Sequence, residues 1–224
     1  MNYMVLLAAG LMSISAGAAP TSVPVDDTSD WQILSFRKIP ANDVTADKNG
    51  LTIEVASSAS PLVYPLPAPA RVQRVRVTGE WRGALSLPEG AVQGAKGVDD
   101  FVLKLGLVES GDQTLSWFQK RVAPKWIRTL FDLAPPDGGI SQIHFLSTTQ
   151  QPDLVGTSRT HPLSDLLQES RHLLLDAPGE FVMDVELDAA ADVVALWISS
   201  DGDDTGSRFT LQIKSIELIS GDFP

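Results

Sequence analysis

Residues 181–188, FVMDVELD, place Phe181, Met183, Val185 and Leu187 on one side and Val182, Asp184, Glu186 and Asp188 on the other. A repeat of two is the side-chain period of a strand, so this segment is a strand with one dry face and a row of carboxylates outside. Just downstream, residues 193–198, VVALWI, are apolar without interruption, which fits a central strand covered on both faces. Upstream, the same period recurs in Leu51, Ile53 and Val55, in Val75, Val77 and Trp81, and in Phe101, Leu103, Leu105 and Leu107. Near the carboxyl end Phe209, Leu211 and Ile213 set one phase and Ile216 and Leu218 the other, which predicts a bulge near Lys214. Turn chemistry at Asp176-Ala177-Pro178-Gly179 predicts a hairpin over 171–187. Helix is scarce: Pro124 and KWIRTLFDLA, stopped by Pro135-Pro136, predict one short helix, and 162–170, PLSDLLQES, a second. The fold class that follows is all-β, a jelly-roll-like antiparallel β-sandwich of about nine to eleven strands with one or two short helices.

The 224-residue chain is long enough for one well-buried core. Its amino end has an apolar run, Val5 to Met12, ending in Ala16-Gly17-Ala18, the small-x-small form of a signal cleavage site. The expected organisation is a signal peptide over 1–18, a flexible lead-in over 19–30 rich in Pro, Asp, Ser and Thr, and one sandwich domain over 31–224. Export to the periplasm or the exterior follows from the signal. No membrane span remains after cleavage, because a span needs about 20 apolar residues. The absence of cysteine excludes a disulfide framework, a thiolate metal site and a cysteine nucleophile.

Charge is uneven. Residues 165–224 carry 13 acidic against 3 basic side chains, whereas the rest is nearly balanced, and the whole chain has a formal charge of −11. Such a surface repels phosphate backbones and anionic lipid, which excludes nucleic acid as a partner and favours cations or basic surfaces. The motifs of serine hydrolases, zinc proteases and phosphate-binding loops are absent, and no catalytic residue is assigned.

Two acidic clusters stand out: Asp99-Asp100, leading into a strand, and Asp201-Gly202-Asp203-Asp204-Thr205-Gly206 between two strands. Asp99, Asp100, Asp201, Asp203, Asp204 and Thr205 supply the hard oxygen ligands that a structural Ca²⁺ takes. The competing account is a pair of tight turns capped by their own hydroxyl and backbone N–H groups. No other cofactor is required. Trp117 and Trp126, near a loop or short helix, are the candidate platform for a sugar ring, while Trp81 and Trp197 fall in phase with core residues. Lys104 and His144 complete the candidate ligand-binding set, His144 on the polar side of the strand ISQIHFLST.

The strand entry GVDDFVLKLGLVE, the turn and strand DGDDTGSRFTLQIKSIELI, and ASSASPLVYPL together resemble an exported bacterial family known only as domain of unknown function number three thousand forty-seven. The matching positions are Asp99, Asp100, Phe101 and Lys104, and the turn Asp201, Asp203, Asp204 and Thr205. Lys104 stands where arginine is more usual, and the segment around His144 lacks a tryptophan. The resemblance implies a jelly-roll-like sandwich similar to carbohydrate-binding modules and implies no activity. The expected function is a non-catalytic exported module that binds a glycan or envelope component. The alternatives are an envelope polysaccharide-active enzyme with an acid pair drawn from Asp99, Asp100, Asp184, Glu186, Asp201, Asp203 and Asp204, or a structural assembly protein of the envelope. Oligomeric state is not fixed by the sequence.

Overall fold

The computed structural model describes residues 20–116, 121, 125–134, 138–162 and 164–221. The expected signal peptide, 1–18, and Trp117 lie outside the described residues. Among the described residues eleven strands run in chain order: β1 (Thr21–Val23), β2 (Gln32–Ile33), β3 (Asp43–Asp47), β4 (Gly50–Ala56), β5 (Leu62–Ala84), β6 (Lys104–Gly111), β7 (Gly139–Thr149), β8 (Ser158–Thr160), β9 (Leu167–Leu174), β10 (Gly179–Ser199) and β11 (Arg208–Ile219). They form one hydrogen-bonded path, β3-β4-β11-β5-β10-β6-β7-β9-β8, with β1 added on β11 and β2 on β5. The result is a mostly antiparallel sandwich, as the periodicity predicts.

Two long strands make the sandwich. β5 and β10 pair along nearly their whole lengths, from Gly179↔Trp81 to Ile198↔Leu62, with register shifts between Glu186 and Ala191 and between Val193 and Ala195. Bulges of this kind bend and twist a strand, so each long strand serves both layers. Its one half lies beside β11, β4 and β3 and its other half beside β6, β7, β9 and β8. Val75, Val77 and Trp81 from the first layer meet Leu103, Leu105, Leu107, Leu196 and Ile198 from the second in the main core.

A second apolar cluster lies on the other side of β10. Val194, Ala195 and Trp197 join Val108, Ile140, Ile143 and Phe145, and Leu130 of helix α1 (Lys125–Asp132) caps them. The run VVALWI is therefore buried on both faces, and the shift between Val193 and Ala195 puts two successive residues in the same cluster. The expected bulge near Lys214 is present as a register shift between Ile213 and Ser215.

Three expectations are corrected. Residues 162–170 do not form a helix: Leu167–Leu174 is strand β9, held parallel to β7 and antiparallel to β8. The 171–187 segment is not a hairpin, because β9 and β10 pair with different strands across the Asp176–Gly179 turn. The lead-in expected to be flexible is built in, since β1 pairs with β11, Val23 and Val25 are buried, and the Trp31 indole N–H donates to the Pro24 carbonyl at 2.9 Å.

Candidate functional site

The two acidic segments meet in space. The Asp100 carboxylate, 1 % exposed, accepts from the Thr205 N–H at 2.7 Å, the Thr205 hydroxyl at 2.6 Å and the Asp204 N–H at 3.3 Å. In return the Asp99 N–H donates to Asp204 Oδ2 at 3.1 Å. The turn is clasped by its own neighbour, and Asp100 with Thr205 use their polar atoms on each other. Gly206, at φ 69°, supplies the left-handed residue that the turn requires.

This clasp forms one rim of a cavity of about 390 Å³. Its polar wall holds Asp99, Asp100, Asp201, Asp203, Asp204 and Glu169, with Lys104 and His161. Its apolar wall is made by Phe36, Ile39, Ile143, Phe145 and Trp197. The apolar wall follows from strand register: Trp197 lies opposite Gly106 and Gly106 opposite Phe145, so one cross-strand row carries both aromatics. The two rings pack edge to face with centroids 6.5 Å apart. A Cβ at Gly106 would come within 2.7 Å of Ile143 and 2.8 Å of Phe145, so only glycine leaves room for this row.

Lys104 is the buried cation of the polar wall. Its ammonium lies 3.4 Å from Asp99 Oδ2, 3.9 Å from Asp201 Oδ2, and 4.4 Å from the centre of the Phe101 ring. Asp201 also accepts from the Ser199 hydroxyl at 3.0 Å. Burial outweighs these partners and pushes the Asp201 carboxyl up to about 7, with Lys104 opposing the rise. Burial raises Asp203 too, and Asp100 adds to the shift.

Charges on β8 and β9 complete the wall. Arg159 and Glu169 are direct cross-strand partners, and the Arg159 Nε donates to Glu169 Oε2 at 2.6 Å. Arg171 Nη2 approaches the same oxygen at 3.8 Å, and Arg159 Nη2 lies 3.6 Å from Asp99 Oδ1. Burial lowers Arg171 from its usual value, and the neighbouring Arg159 charge lowers it further. Asp99, His161 and Glu169 each bring one ligand atom to within 4.8 Å of the other two, a geometry that can hold a metal ion.

The structure thus gathers Lys104, Asp99, Asp100, Asp201, Asp203 and Asp204 in one place and Thr205 behind them. His144 is elsewhere: its neighbours Ile143 and Phe145 face the cavity, and its own Nε2 meets the Ser170 hydroxyl at 2.8 Å beside His172. Burial lowers both of these histidines. Trp126 lies in helix α1, and its side chain is outside the described residues, as is all of Trp117. Asp184 sits on the outer face of the first layer in a two-point pair with Arg74, at 2.6 and 2.7 Å, away from the cavity. Arg159, His161 and Glu169 carry no sequence motif. The available signal is charge at period two, Arg159 with His161 and Glu169 with Arg171, and the helical reading of 162–170 hides it.

No family model matches the chain, so the family of unknown function suggested by the acidic motifs is not supported by one. No curated protein matches either. Among solved structures the chain is similar to a family 11 carbohydrate-binding module from Clostridium thermocellum in complex with a β-1,3-1,4-mixed-linked tetrasaccharide. The identity is 7%, the TM-score 0.42, and 90% of this chain and 96% of that one are covered. A xylan-binding module, CBM15, aligns at 8% identity and a TM-score of 0.39, over 92% and 99% of the two chains. The VIP36 exoplasmic/lumenal domain in its Ca²⁺/Man3GlcNAc-bound form aligns at 9% and 0.36, over 89% of each. At these scores the likeness brings neither a ligand nor an activity to this chain.

Proposed function

We propose that the protein is an exported module that binds a glycan or envelope component in the cavity between its acidic turns and its aromatic row. The observation that carries this reading is the two-sided character of the cavity: Phe36, Phe145 and Trp197 on one wall, Asp99, Asp201 and Asp203 with Lys104 on the other. Ligand sites are typically clefts of about 300 to 1,000 Å³ lined by apolar groups with a few placed polar ones. A sugar ring matches that division, since its C–H faces pack on apolar side chains while its hydroxyls donate to carboxylates, which are acceptors only.

Binding of the chain lacking residues 1–18 to a broad panel of glycans and envelope polysaccharides tests the reading. Phe36 and Asp203 are partly exposed on the cavity wall, so Phe36→Ala and Asp203→Asn alter it without opening the core. Each should weaken binding about tenfold, the equivalent of roughly 1.4 kcal/mol. Silence across the panel, or binding that neither variant weakens, refutes it.

A second reading, a polysaccharide-active enzyme, is favoured by one observation. Asp201 lines the cavity, and its carboxyl pushed up to about 7 suits a proton donor near neutral pH. Turnover of a glycan found to bind, abolished in Asp201→Asn, supports it, and binding without turnover rejects it.

A further inference from the structure

We propose that Asp99, His161 and Glu169 form a site for a divalent transition ion of the zinc class, distinct from a calcium site at the acidic turn. The three ligand atoms lie within 4.8 Å of one another, and His161 Nε2 is 3.8 Å from Asp99 Oδ2. Zinc bonds of about 2.0–2.2 Å place tetrahedral ligands roughly 3.3 Å apart, so closing the triad needs movements of about 0.5 to 1.5 Å.

One further observation points to a ligand here. Asp99 Oδ1 is buried and makes no hydrogen bond, with only the Arg159 Nη2 charge near it at 3.6 Å. Both guanidinium groups that reach the Glu169 carboxylate approach Oε2. Asp99 therefore holds an oxygen without a hydrogen bond on the same polar wall. Arg159 fixes Glu169 from behind, as outer partners of metal-binding carboxylates do.

Charge balance admits the ion. Among the described residues six carboxylates line the cavity, and the cations beside them are Lys104, Arg159 and Arg171, so the surplus is negative even with Asp201 protonated. The donor set selects the ion. Calcium takes oxygen ligands in sets of about six to eight, whereas one imidazole with two carboxylates suits zinc and its neighbours. Three protein ligands leave a fourth position, and all three residues line the cavity.

Chelator-stripped protein is titrated with ZnCl2 and, separately, CaCl2, while the histidine ring nitrogens are followed by NMR. The chain has three histidines, so the assignment is direct. Zinc should shift the His161 ring, leave His144 and His172 in place, and raise the melting temperature by roughly 5 to 10 °C at a hundred times its Kd. His161→Gln and Glu169→Gln should abolish that rise, and Asp153→Asn, at an exposed position, should keep it. A rise below about 2 °C, a response to calcium alone, or ring shifts confined to His144 and His172 overturns the proposal. The NMR arm uses the unmodified chain, so it decides even if a variant fails to fold.

Discussion

Asp201→Asn should change how stability depends on pH, and the sign follows from burial. The carboxyl is moved from 3.8 in the unfolded chain to about 7 in the fold. Well below pH 3.8 both states hold the proton and the group costs nothing. As pH rises through 3.8 the unfolded state ionises first, so the folded state loses ground until pH 7, where the loss levels off. The displacement is close to three pH units, and at ~1.4 kcal/mol per unit the loss is roughly 4 kcal/mol. Asparagine has nearly the same shape and does not titrate. Urea unfolding of both proteins at about pH 4 and pH 8 should give similar stabilities at the lower pH and a variant roughly 4 kcal/mol more stable at the higher, with unchanged m-values. Asp203 and Glu109, both raised, tilt the absolute curves the same way, and His144 and His172, both lowered by burial, tilt them the other way. The difference between the two proteins removes these common contributions. A difference that does not vary with pH, or one that favours the wild type as pH rises, refutes the assignment of Asp201 as a carboxyl kept neutral by burial.

Asp100→Ala removes the acceptor of three part-buried hydrogen bonds from Asp204 and Thr205, which should cost about 2 to 4 kcal/mol in urea unfolding, with Asp100→Asn less severe. Gly106→Ala forces a methyl group against Ile143 and Phe145 and should cost roughly 1 to 3 kcal/mol, accompanied by a change in Trp197 fluorescence as the aromatic row moves. Arg74→Ala breaks a partly exposed ion pair with Asp184, and calorimetry should register almost no change in melting temperature.

The strands announce themselves wherever one face is dry and the other wet, as in FVMDVELD, because burial then imprints a repeat of two on the sequence. β9 hides for the opposite reason. Glu169 and Arg171 are buried charges, 3 % and 4 % exposed, stabilised by partners on other strands, so a buried face looks as polar as a solvated one. The turn at Asp176–Gly179 is also locally correct, yet a turn does not state which strands it joins. β9 takes β7 as its parallel neighbour and β10 takes β5, and both choices depend on contacts distant in sequence.

The candidate site divides along the same line. Asp99, Asp100 and the 201–206 turn are visible because acidic residues and glycine cluster in the chain, whereas His161 and Glu169 reach them only through the pairing of β8 and β9. Crowding of so many carboxylates has to be relieved, and the fold relieves it differently at each one. Asp100 is capped by Thr205 and the turn backbone, Asp204 accepts from the Asp99 N–H, burial pushes the Asp201 carboxyl up to about 7, and Lys104 faces Asp99. Asp100, the most deeply buried of these carboxylates, is thus fully engaged by the protein, while Asp99 keeps Oδ1 without a hydrogen bond. The oxygen open to a metal ion therefore lies on Asp99, at the end of the wall it shares with Glu169 and Phe145, and not on the Asp100 carboxylate clasped by Thr205.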